Sequence, residues 1–576
     1  MNTCQQNASD DENKNLPSYE KGRFEVDKKQ ALTTAVIVAL LSSALAGIQF
    51  VKLAEANFMP MQIPQPAFII KSDGSVYPSM APIQRDGNVY TFTNDIVGYT
   101  IASEVDNVVI DGGGYSLVGN GNSTGIFILN RNGITVRNMN ISNFSYGIRL
   151  IAENYMGMTS SGNSLLDNTV TDNEYGIYIS YSSNNMLRNN IMTNNTHNFE
   201  VQGEYTNDID VSNTVDGKPI SYWVNQQDRS VPSDAGYVTL VNCTGITVQD
   251  LNLANNGQGV ILFSTTNSTI TKNSITNTGD AIYIEESSSN TISGNNLANS
   301  SNGIRGQASS NNIISLNNIT NNENGIYFTG ASTSNIISGN HIAANTVDGM
   351  NLWGSTDADV EANTITNNTE NGINFFESWG NRIVGNNITE NGNGIKFWYH
   401  TSDNNVSENY IAENAIGILV DDAYDNSIIG NLITENIDFG IQLKGSQNNN
   451  VIYHNRFVDN NADGDGLQVS IPAYMGMGAP IEWLTGHGNV WDNGTAGNYW
   501  SDYVTRYPNA TELEGTGIGD THFYINENNF DRYPLMEPNS IPEFSSLTAI
   551  LLALATFTVS LAICKQKLRK PKEARH

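Results

Sequence analysis

The sequence predicts an all-β fold, a right-handed parallel β-helix, and three repeating patterns support this class. A Gly-Ile-x-apolar phrase returns every 22 to 24 residues, at Gly303, Gly325, Gly349, Gly372, Gly394, Gly417 and Gly440. An Asn-x-Ile phrase keeps the same interval from Asn273 to Asn455, and a third column of asparagines runs from Asn277 to Asn436. A fixed period of this length is the signature of a solenoid.

Each repeat contains three short runs of alternating apolar and polar residues, separated by Asn, Gly, Ser and Asp. Alternation indicates strands and the polar clusters indicate turns, so we expect three short strands per coil. Coils that stack at about 4.8 Å per step place like residues above like. The Ile and Leu columns should then form a continuous core. The Asn columns should hydrogen-bond along the stack as amide ladders.

Non-repetitive segments divide the chain. A loop between Leu150 and Asn163 and a strand-rich excursion at about 201–241 interrupt the repeat. Aromatic-rich segments at both ends of the repeat are expected to cap the open sheet edges. The predicted parts are a polar cytoplasmic segment at 1–30, a signal peptide or N-terminal membrane anchor at 31–56, an N-terminal cap at 57–107, the β-helix at 108–483, a C-terminal cap at 484–540, a transmembrane anchor at 541–564 and a basic cytoplasmic tail at 565–576.

Two apolar runs near the termini are the basis of the membrane prediction. Residues 31–51 are long enough to span a bilayer and end near an Ala-x-Ala pattern at 54–56, so they predict either a cleaved export signal or a retained anchor. Residues 544–564 form a second such run, followed by a basic tail. The positive-inside bias places that tail in the cytoplasm and the repeats outside.

The charge balance excludes one class of partner. The chain has 58 acidic and 28 basic residues, a formal net charge of -30. Nucleic-acid binding requires a basic footprint, so it is not expected. The 3 cysteines are too few and too scattered for a disulfide framework.

The interrupting segments resemble a known family. They are GSVYPSMAPIQRDGNVYTFTNDI at 74–96, VVIDGGGYSL at 108–117, NTVDGKPISYWVNQ and DAGYVTLVNC within 213–243, GNYWSDY at 497–503, and GIGDTHFYI and DRYPL within 517–535. Together they are similar to archaeal surface β-helix proteins grouped with NosD, and IPEF at 541–544 resembles an archaeal surface-anchor signal. The resemblance implies the fold and a surface location. It also implies a periplasmic copper-delivery role, or membership of a wider class of carbohydrate-binding proteins and sugar hydrolases.

Outward-facing columns supply the candidate binding residues. Residues two and four places after each repeat glycine should face solvent, because those at one and three places are apolar. Aromatic residues then line three successive coils, where their apolar faces and polar rims suit pyranose rings. The predicted ligand-binding residues are Tyr327, Trp353, Phe376, Trp398, Tyr399, His400 and Asp421.

A catalytic group is a further hypothesis. Asp421 and Asp422, with Glu377 and Lys396, could divide acid and base roles, as paired carboxylates do in sugar hydrolases. No lyase or hydrolase motif is visible, and the fold alone implies no chemistry. The sequence therefore leans towards a protein that is not an enzyme.

Metal sites are predicted at two places. Tyr-Met-Gly-Met occurs twice, so Met156, Met158, Met475 and Met477 are candidate Cu(I) ligands. Flexible methionines covering apolar surface are the alternative. Oxygen ligands in quick succession suggest calcium in the C-terminal cap, at Glu512, Glu514 and Asp520.

The sequence thus predicts a membrane-anchored cell-surface β-helix that binds extended carbohydrate or a surface partner. A NosD-like copper accessory protein, a polysaccharide lyase or hydrolase, and a structural spacer remain alternatives. Several Asn-x-Ser/Thr sequons, among them Asn493 and Asn509 in the C-terminal cap, are candidate glycosylation sites.

Overall fold

In a computed structural model the chain forms an all-β, right-handed parallel solenoid of about 16 turns. The fold class predicted from the repeat is thereby confirmed. The chain divides after Gln62 into two compact units, and the solenoid belongs to the second. The described residues are 62–153, 157–445, 449–464, 466–472 and 488–538.

The solenoid consists of two consecutive stacks of coils, each with three parallel sheets. In the first stack the broad sheet contains Ala67–Ile70, Val76–Tyr77, Thr100–Ser103, Thr124–Leu129, Tyr146–Ile151, Tyr175–Ser180 and His197–Gln202. The second sheet contains Ile83–Asp86, Val89–Phe92, Val109–Asp111, Thr135–Arg137, Ser164–Leu166, Met186–Arg188 and Asp208–Ile209. The third contains Ile96–Val97, Ser116–Val118, Asn140–Ser142, Thr169–Thr171, Ile191–Thr193 and Thr214–Val215.

The second stack repeats this plan over more coils. Its broad sheet contains Lys218–Val224, Tyr237–Val241, Gln258–Phe263, Asp280–Glu285, Asn302–Gln307, Asn324–Thr329, Met350–Trp353, Asn371–Phe376, Asn393–Trp398, Ile416–Asp421, Phe439–Lys444 and Val469–Ser470. The second sheet contains Thr247–Gln249, Thr269–Thr271, Thr291–Ser293, Ile313–Ser315, Ile336–Ser338, Asp359–Glu361, Arg382–Val384, Asn405–Ser407, Ser427–Ile429 and Val451–Tyr453. The third contains Asn252–Ala254, Ser274–Thr276, Asn296–Ala298, Asn318–Thr320, His341–Ala343, Thr364–Thr366, Asn387–Thr389, Tyr410–Ala412, Leu432–Thr434, Arg456–Val458 and Tyr499–Trp500.

The repeat glycines are required where one coil lies directly on the next. A Cβ built on Gly372 would lie 2.6 Å from the carbonyl oxygen of Gly394, closer than real side chains approach. The same contact recurs between Gly394 and Gly417 at 2.5 Å. Glycine therefore recurs because the backbone of the neighbouring coil occupies the space that a side chain would need.

The predicted Asn-x-Ile ladder is present and buried. The third predicted column is only partly correct, because Asn345, Asn391, Asn414 and Asn436 belong to a buried ladder, whereas Asn277, Asn299, Asn321 and Asn367 are exposed turn residues. Asn386 is 1% exposed, and its Oδ1 accepts the backbone N–H of Asn363 at 2.9 Å and the Asn363 amide at 3.0 Å. Its own Nδ2 donates to the Val360 carbonyl and to Asn409 Oδ1, both at 2.9 Å. Each side chain thus joins three coils and satisfies turn amides that the strands leave unpaired.

The predicted excursion at about 201–241 is the junction of the two stacks. Thr214–Val215 turns back through a tight hairpin and pairs antiparallel with Lys218–Val224, which then pairs parallel with Tyr237–Val241 to open the second stack. Two separate hydrophobic cores meet here. Ile261 and Tyr283, on the outer face of the second broad sheet, pack against the first core. The end of the first stack therefore covers the outer face of the first coils of the second.

The N-terminal end of the solenoid differs from the predicted cap. Parallel coils already begin at Ala67–Ile70, inside the segment predicted as a cap, and short antiparallel strands, Val76–Tyr77 and Ile83–Asp86, cover the sheet edges. At the C-terminus Trp500 stacks between Phe457 and Phe523, with ring centroids 4.5 and 4.2 Å away. Beside it lie a helical turn, Tyr503–Arg506, and an antiparallel pair, Phe523–Tyr524 and Phe530–Asp531.

The two predicted membrane spans lie outside the described residues. Among the residues that the structure does describe, no helix is long and apolar enough to cross a membrane.

Candidate functional site

The candidate site lies on the outer surface of the second broad sheet, from Gln258–Phe263 to Phe439–Lys444, which we call the broad face. Ile373 and Phe375 are fully buried in the core, whereas Phe376, between the core and solvent, is half-buried. The same alternation turns Trp353 and Trp398 outward. Residues four places after the repeat glycines therefore face solvent, as the sequence predicted. Residues two places after them are less exposed than predicted, because Tyr283 and Asn374 are buried and Tyr327 is half-buried.

Three aromatic residues on successive coils form what we call the tryptophan ladder: Trp353, Phe376 and Trp398. The strand register pairs Trp353 with Phe376 and Phe376 with Trp398. Ring centroids are 5.4 Å apart in the first pair and 5.0 Å in the second, both in edge-to-face geometry. Trp353 is 44% exposed and Trp398 is 42% exposed. The ladder thus combines a fixed geometry with accessible apolar surface.

Tyr399 and His400 extend the ladder sideways at the turn that follows Trp398. Tyr399 stacks almost parallel on Phe376, with centroids 5.5 Å apart, and His400 meets Tyr399 edge-on at 4.4 Å. Both turn residues have positive φ, 44° and 56°. Their backbone amides donate to the carbonyls of Asp421 and Asp422 in the next coil at 3.1 and 3.0 Å, which fixes the two rings in place.

The predicted charged residues surround the ladder. Trp353 Nε1 donates to Glu377 Oε2 at 3.3 Å, and Lys396 Nζ lies 4.8 Å from the Trp398 ring centroid. Asp421 is in register with Trp398. Partial burial raises the pKa of Asp421, and the neighbouring charge of Asp422 raises it further. The positive charges of Lys444 and Lys396 lower it, but by less.

The strand register sets the spacing of the predicted acids. Glu377 follows Phe376, and Asp421 lies two coils further on. At about 4.8 Å per coil, the two main chains are separated by roughly 10 Å. Asp421 and Asp422 are sequence neighbours at the end of one strand. The structure thus arranges the four charged residues as a rim around the aromatic rings.

Sequence reasoning missed a buried carboxyl on the same face. Asp348 accepts hydrogen bonds from the amides of Asn371 at 2.6 Å, Asn351 at 2.9 Å and Asn374 at 3.3 Å. Burial raises its pKa despite these bonds. The available signal was the position before the repeat glycine, which is Asn in the coils on either side but Asp at 348. Tyr327, predicted as a binding residue, is half-buried in the column of Asn351 and Asn374.

A further tryptophan lies in the turn that follows the ladder strand, two residues after Glu377. Trp379 is 51% exposed, and it forms parallel bridges with Thr356 and Ser402 in the turn that precedes the second sheet. It therefore has the exposure of the ladder residues without their aromatic neighbours.

Of the predicted copper ligands, Met156, Met475 and Met477 lie outside the described residues, and Met158 is 41% exposed. Cys243 is buried, with its thiol directed at backbone carbonyls.

The predicted calcium residues belong to the turns of the C-terminal cap. Asp520 accepts from the Thr511 amide and hydroxyl at 3.0 and 2.7 Å, and Glu512 accepts from the Gly517 amide at 2.7 Å. Glu514 is exposed. No group of three or more His, Cys, Asp or Glu side chains in the described ranges is arranged to hold a metal ion.

Residues 83–234, 240–416 and 399–505 match a family model described as periplasmic copper-binding protein (NosD). The chain belongs to the NosD family. The resemblance to the NosD family, identified from the interrupting segments, is thereby confirmed. Of the four methionines predicted as copper ligands in this NosD-family chain, only Met158 lies among the described residues. No curated protein matches the sequence.

Several solved structures are similar to this NosD-family chain at low identity. The A-module of Azotobacter vinelandii mannuronan C-5 epimerase AlgE6 is 12% identical, with 58% of this chain and 90% of that chain covered and a TM-score of 0.35. The periplasmic alginate epimerase AlgG is 14% identical, with 63% and 79% covered and a TM-score of 0.30. A DFA-IIIase from Arthrobacter chlorophenolicus is 12% identical, with 50% and 83% covered and a TM-score of 0.32. The function of this chain is therefore inferred from its own side chains.

Proposed function

We propose that this NosD-family protein binds an extended carbohydrate along the tryptophan ladder. The observation that carries the proposal is the alignment of three outward aromatic rings on successive coils, two of them more than 40% exposed. Rings in this arrangement offer a row of apolar surfaces at the repeat distance of the coils, about 4.8 Å. A linear polymer with alternating apolar and hydroxyl-bearing surface fits such a row.

The polar rim favours a hydroxyl-rich ligand over an apolar one. Glu377, Lys396, His400 and Asp421 flank the rings, so the exposed apolar area is interrupted by hydrogen-bonding groups. A protein partner of ordinary affinity would require a larger contiguous surface with an apolar centre.

Substitution of one ladder residue tests the proposal. A Trp side chain presents roughly 250 Å², and the 42% exposed fraction of Trp398 is therefore roughly 100 Å². Covering half of that area contributes about 1.3 kcal/mol, or about a tenfold change in Kd. We expect Trp398→Ala in the full chain to weaken binding of a glycan identified on an array by about that factor.

Trp379→Ala is the matched control, because Trp379 is similarly exposed but lies in the adjoining turn, outside the strand positions that form the tryptophan ladder. It should leave the affinity unchanged. Equal losses in the two variants, or no glycan bound on the array by the unaltered protein, would exclude the tryptophan ladder as a carbohydrate site.

We further propose that the solenoid lies outside the cytoplasm, anchored through the apolar run at 544–564 and, if it is retained, the run at 31–51. The family description as periplasmic and the basic residues after 564 support this location. Protease should be added to cells from which the outer envelope layers have been removed and whose cytoplasmic membrane is intact. It should degrade the solenoid and leave a membrane-bound C-terminal fragment. Full protection of the solenoid in such cells that is lost on lysis would place it in the cytoplasm.

A further inference from the structure

A second aromatic surface lies on the outer face of the first broad sheet. Tyr146, Tyr175 and His197 occupy the same position on three successive coils. The two tyrosine rings stack at 4.7 Å with an interplanar angle of 11°, and His197 continues the stack at 4.9 Å. Tyr178, on the same face, meets both tyrosines edge-on at 5.4 and 5.9 Å. We call these four residues the tyrosine patch.

Arg149 lies within this patch without a carboxylate partner. Its guanidinium carbon lies 4.5 Å from the Tyr146 ring centroid and 5.9 Å from that of Tyr178. In the described part of the chain no carboxylate oxygen lies within 4.0 Å of its nitrogen atoms, and its buried Nε has no hydrogen-bond partner. A half-buried guanidinium in a chain of net charge -30 therefore remains available to an anion.

The tyrosine patch opens into a polar cleft between the two stacks. The cleft has a volume of about 560 Å³, and His197 lines it from the first stack. From the second stack it is lined by Asn255, Asn277, Asn299, Ser301 and Glu323, among others. His197 Nδ1 lies 3.0 Å from the Asn256 carbonyl oxygen, which fixes the ring at the border between patch and cleft. The volume is in the range of small-ligand sites.

We infer that the tyrosine patch and this cleft form a second carbohydrate site, one that takes a sugar bearing a carboxylate, a uronic acid. The stacked rings of Tyr146, Tyr175 and His197 supply faces for pyranose rings. Arg149 supplies a planar fork of donors that matches a carboxylate. The amides and hydroxyls of the cleft supply hydrogen bonds to the sugar hydroxyl groups.

Three acidic side chains lie near the patch and the cleft: Glu174 and Glu323 are exposed, and Glu200 is buried. Glu200 follows Tyr178 in the register, one coil further on. Burial raises the pKa of Glu200 to about 7. The hydrogen bond from Gln202 lowers it in part, and the nearby charge of Asp280 adds to the rise. The side chain is therefore largely protonated in mildly acidic solution, and its repulsion of a carboxylate is small there.

The inference is independent of the tryptophan ladder and is tested with the full chain and two probes, tetragalacturonate and its methyl ester. The two probes share the sugar backbone and differ at the carboxyl groups, which are charged in the acid and neutral and methylated in the ester. Calorimetric titration should give binding of the acid that is at least about tenfold tighter than that of the ester. The affinity for the acid should fall as salt is added, because the contact is ionic. Equal affinities for acid and ester, or binding of neither, would overturn the inference without any variant.

Substitutions then place the site. Arg149→Gln should weaken binding of the acid by about tenfold or more and leave the ester unchanged, and Arg149→Lys should restore part of the loss. Arg382→Gln, which removes an arginine exposed on the second stack, is the matched control and should have no effect. Trp398→Ala should also leave acid binding unchanged. If Trp398→Ala weakens binding of the acid and Arg149→Gln does not, the uronate binds at the tryptophan ladder and the proposed site is wrong.

Discussion

Replacement of one ladder asparagine, Asn386→Ala, should destabilise the solenoid locally and measurably. The change removes the Oδ1 that accepts the backbone amide of Asn363 at 2.9 Å and the Nδ2 that donates to the Val360 carbonyl at 2.9 Å. The Asn363 side chain keeps its bond to Ile337 at 2.8 Å, but the Asn363 backbone N–H has no other partner. One orphaned donor costs about 1–3 kcal/mol, and the other lost bonds add about 1 kcal/mol each.

With one orphaned donor and three other lost bonds between coils, the expected loss is therefore about 4–6 kcal/mol, concentrated on the coils on either side of the substitution. Hydrogen exchange measures it directly, because local opening governs the exchange of ladder amides. The Asn363 amide should exchange more than about a hundredfold faster in the variant. Asn387→Ala is the control, since Asn387 is the next residue in the sequence and its side chain is exposed.

Similar exchange rates in the two variants would refute the reasoning. That result would mean that the buried amide ladders do not stabilise the stack and that strand pairing and the apolar core suffice. An effect spread evenly over all coils, rather than confined to the neighbours of Asn386, would also contradict it, because solenoid contacts extend only to adjacent repeats.

Three further predictions follow from single contacts. Folding raises the pKa of Glu200 from 4.5 to about 7, so the folded chain binds this proton more tightly than the unfolded chain. The protonated side chain therefore stabilises the fold by about 3 kcal/mol. This stabilisation is complete below pH 4.5 and is lost as the pH rises through 7. Glu200→Gln should flatten this part of the profile of unfolding free energy against pH; an unchanged slope would contradict the assignment. Gly372→Ala should cost about 2 kcal/mol in urea unfolding, because its Cβ would meet the neighbouring backbone; a stable variant would show that the coils can separate. Arg532→Gln should lower the thermal midpoint by leaving the buried Asp492 carboxylate without its two-point partner, at 2.7 and 3.0 Å; an unchanged midpoint would show that the cap does not depend on this pair.

The repeat made the second stack predictable from the sequence. The glycine interval fixes the coil length, and the alternation after each glycine fixes which side chains face outward, so the positions of Trp353, Phe376 and Trp398 on one face followed from counting. The Asn-x-Ile columns predicted the ladders for a similar reason: in stacked coils, equal sequence positions become equal positions in space.

The junction could not be predicted in the same way. The hairpin that joins Thr214–Val215 to Lys218–Val224 has its own sequence signal, Asp-Gly, but nothing local indicates that the first stack then packs on the outer face of the second. The burial of Glu200 depends on that long-range contact, and the stacking of Tyr146 on Tyr175 depends on a repeat with irregular spacing. The tyrosine patch was therefore missed, and the buried Asp348 was missed because one Asp among Asn residues resembles an ordinary turn.

The most direct test of the proposed function is to measure which exposed tryptophans a bound glycan covers. Hydroxyl-radical footprinting of the full chain, with and without a saturating glycan, reports the oxidation of each tryptophan separately. Binding along the tryptophan ladder predicts that Trp353 and Trp398 are protected and that Trp379 is oxidised equally in both samples. Protection of Trp379, or unchanged oxidation of Trp353 and Trp398 in the presence of bound glycan, would contradict it.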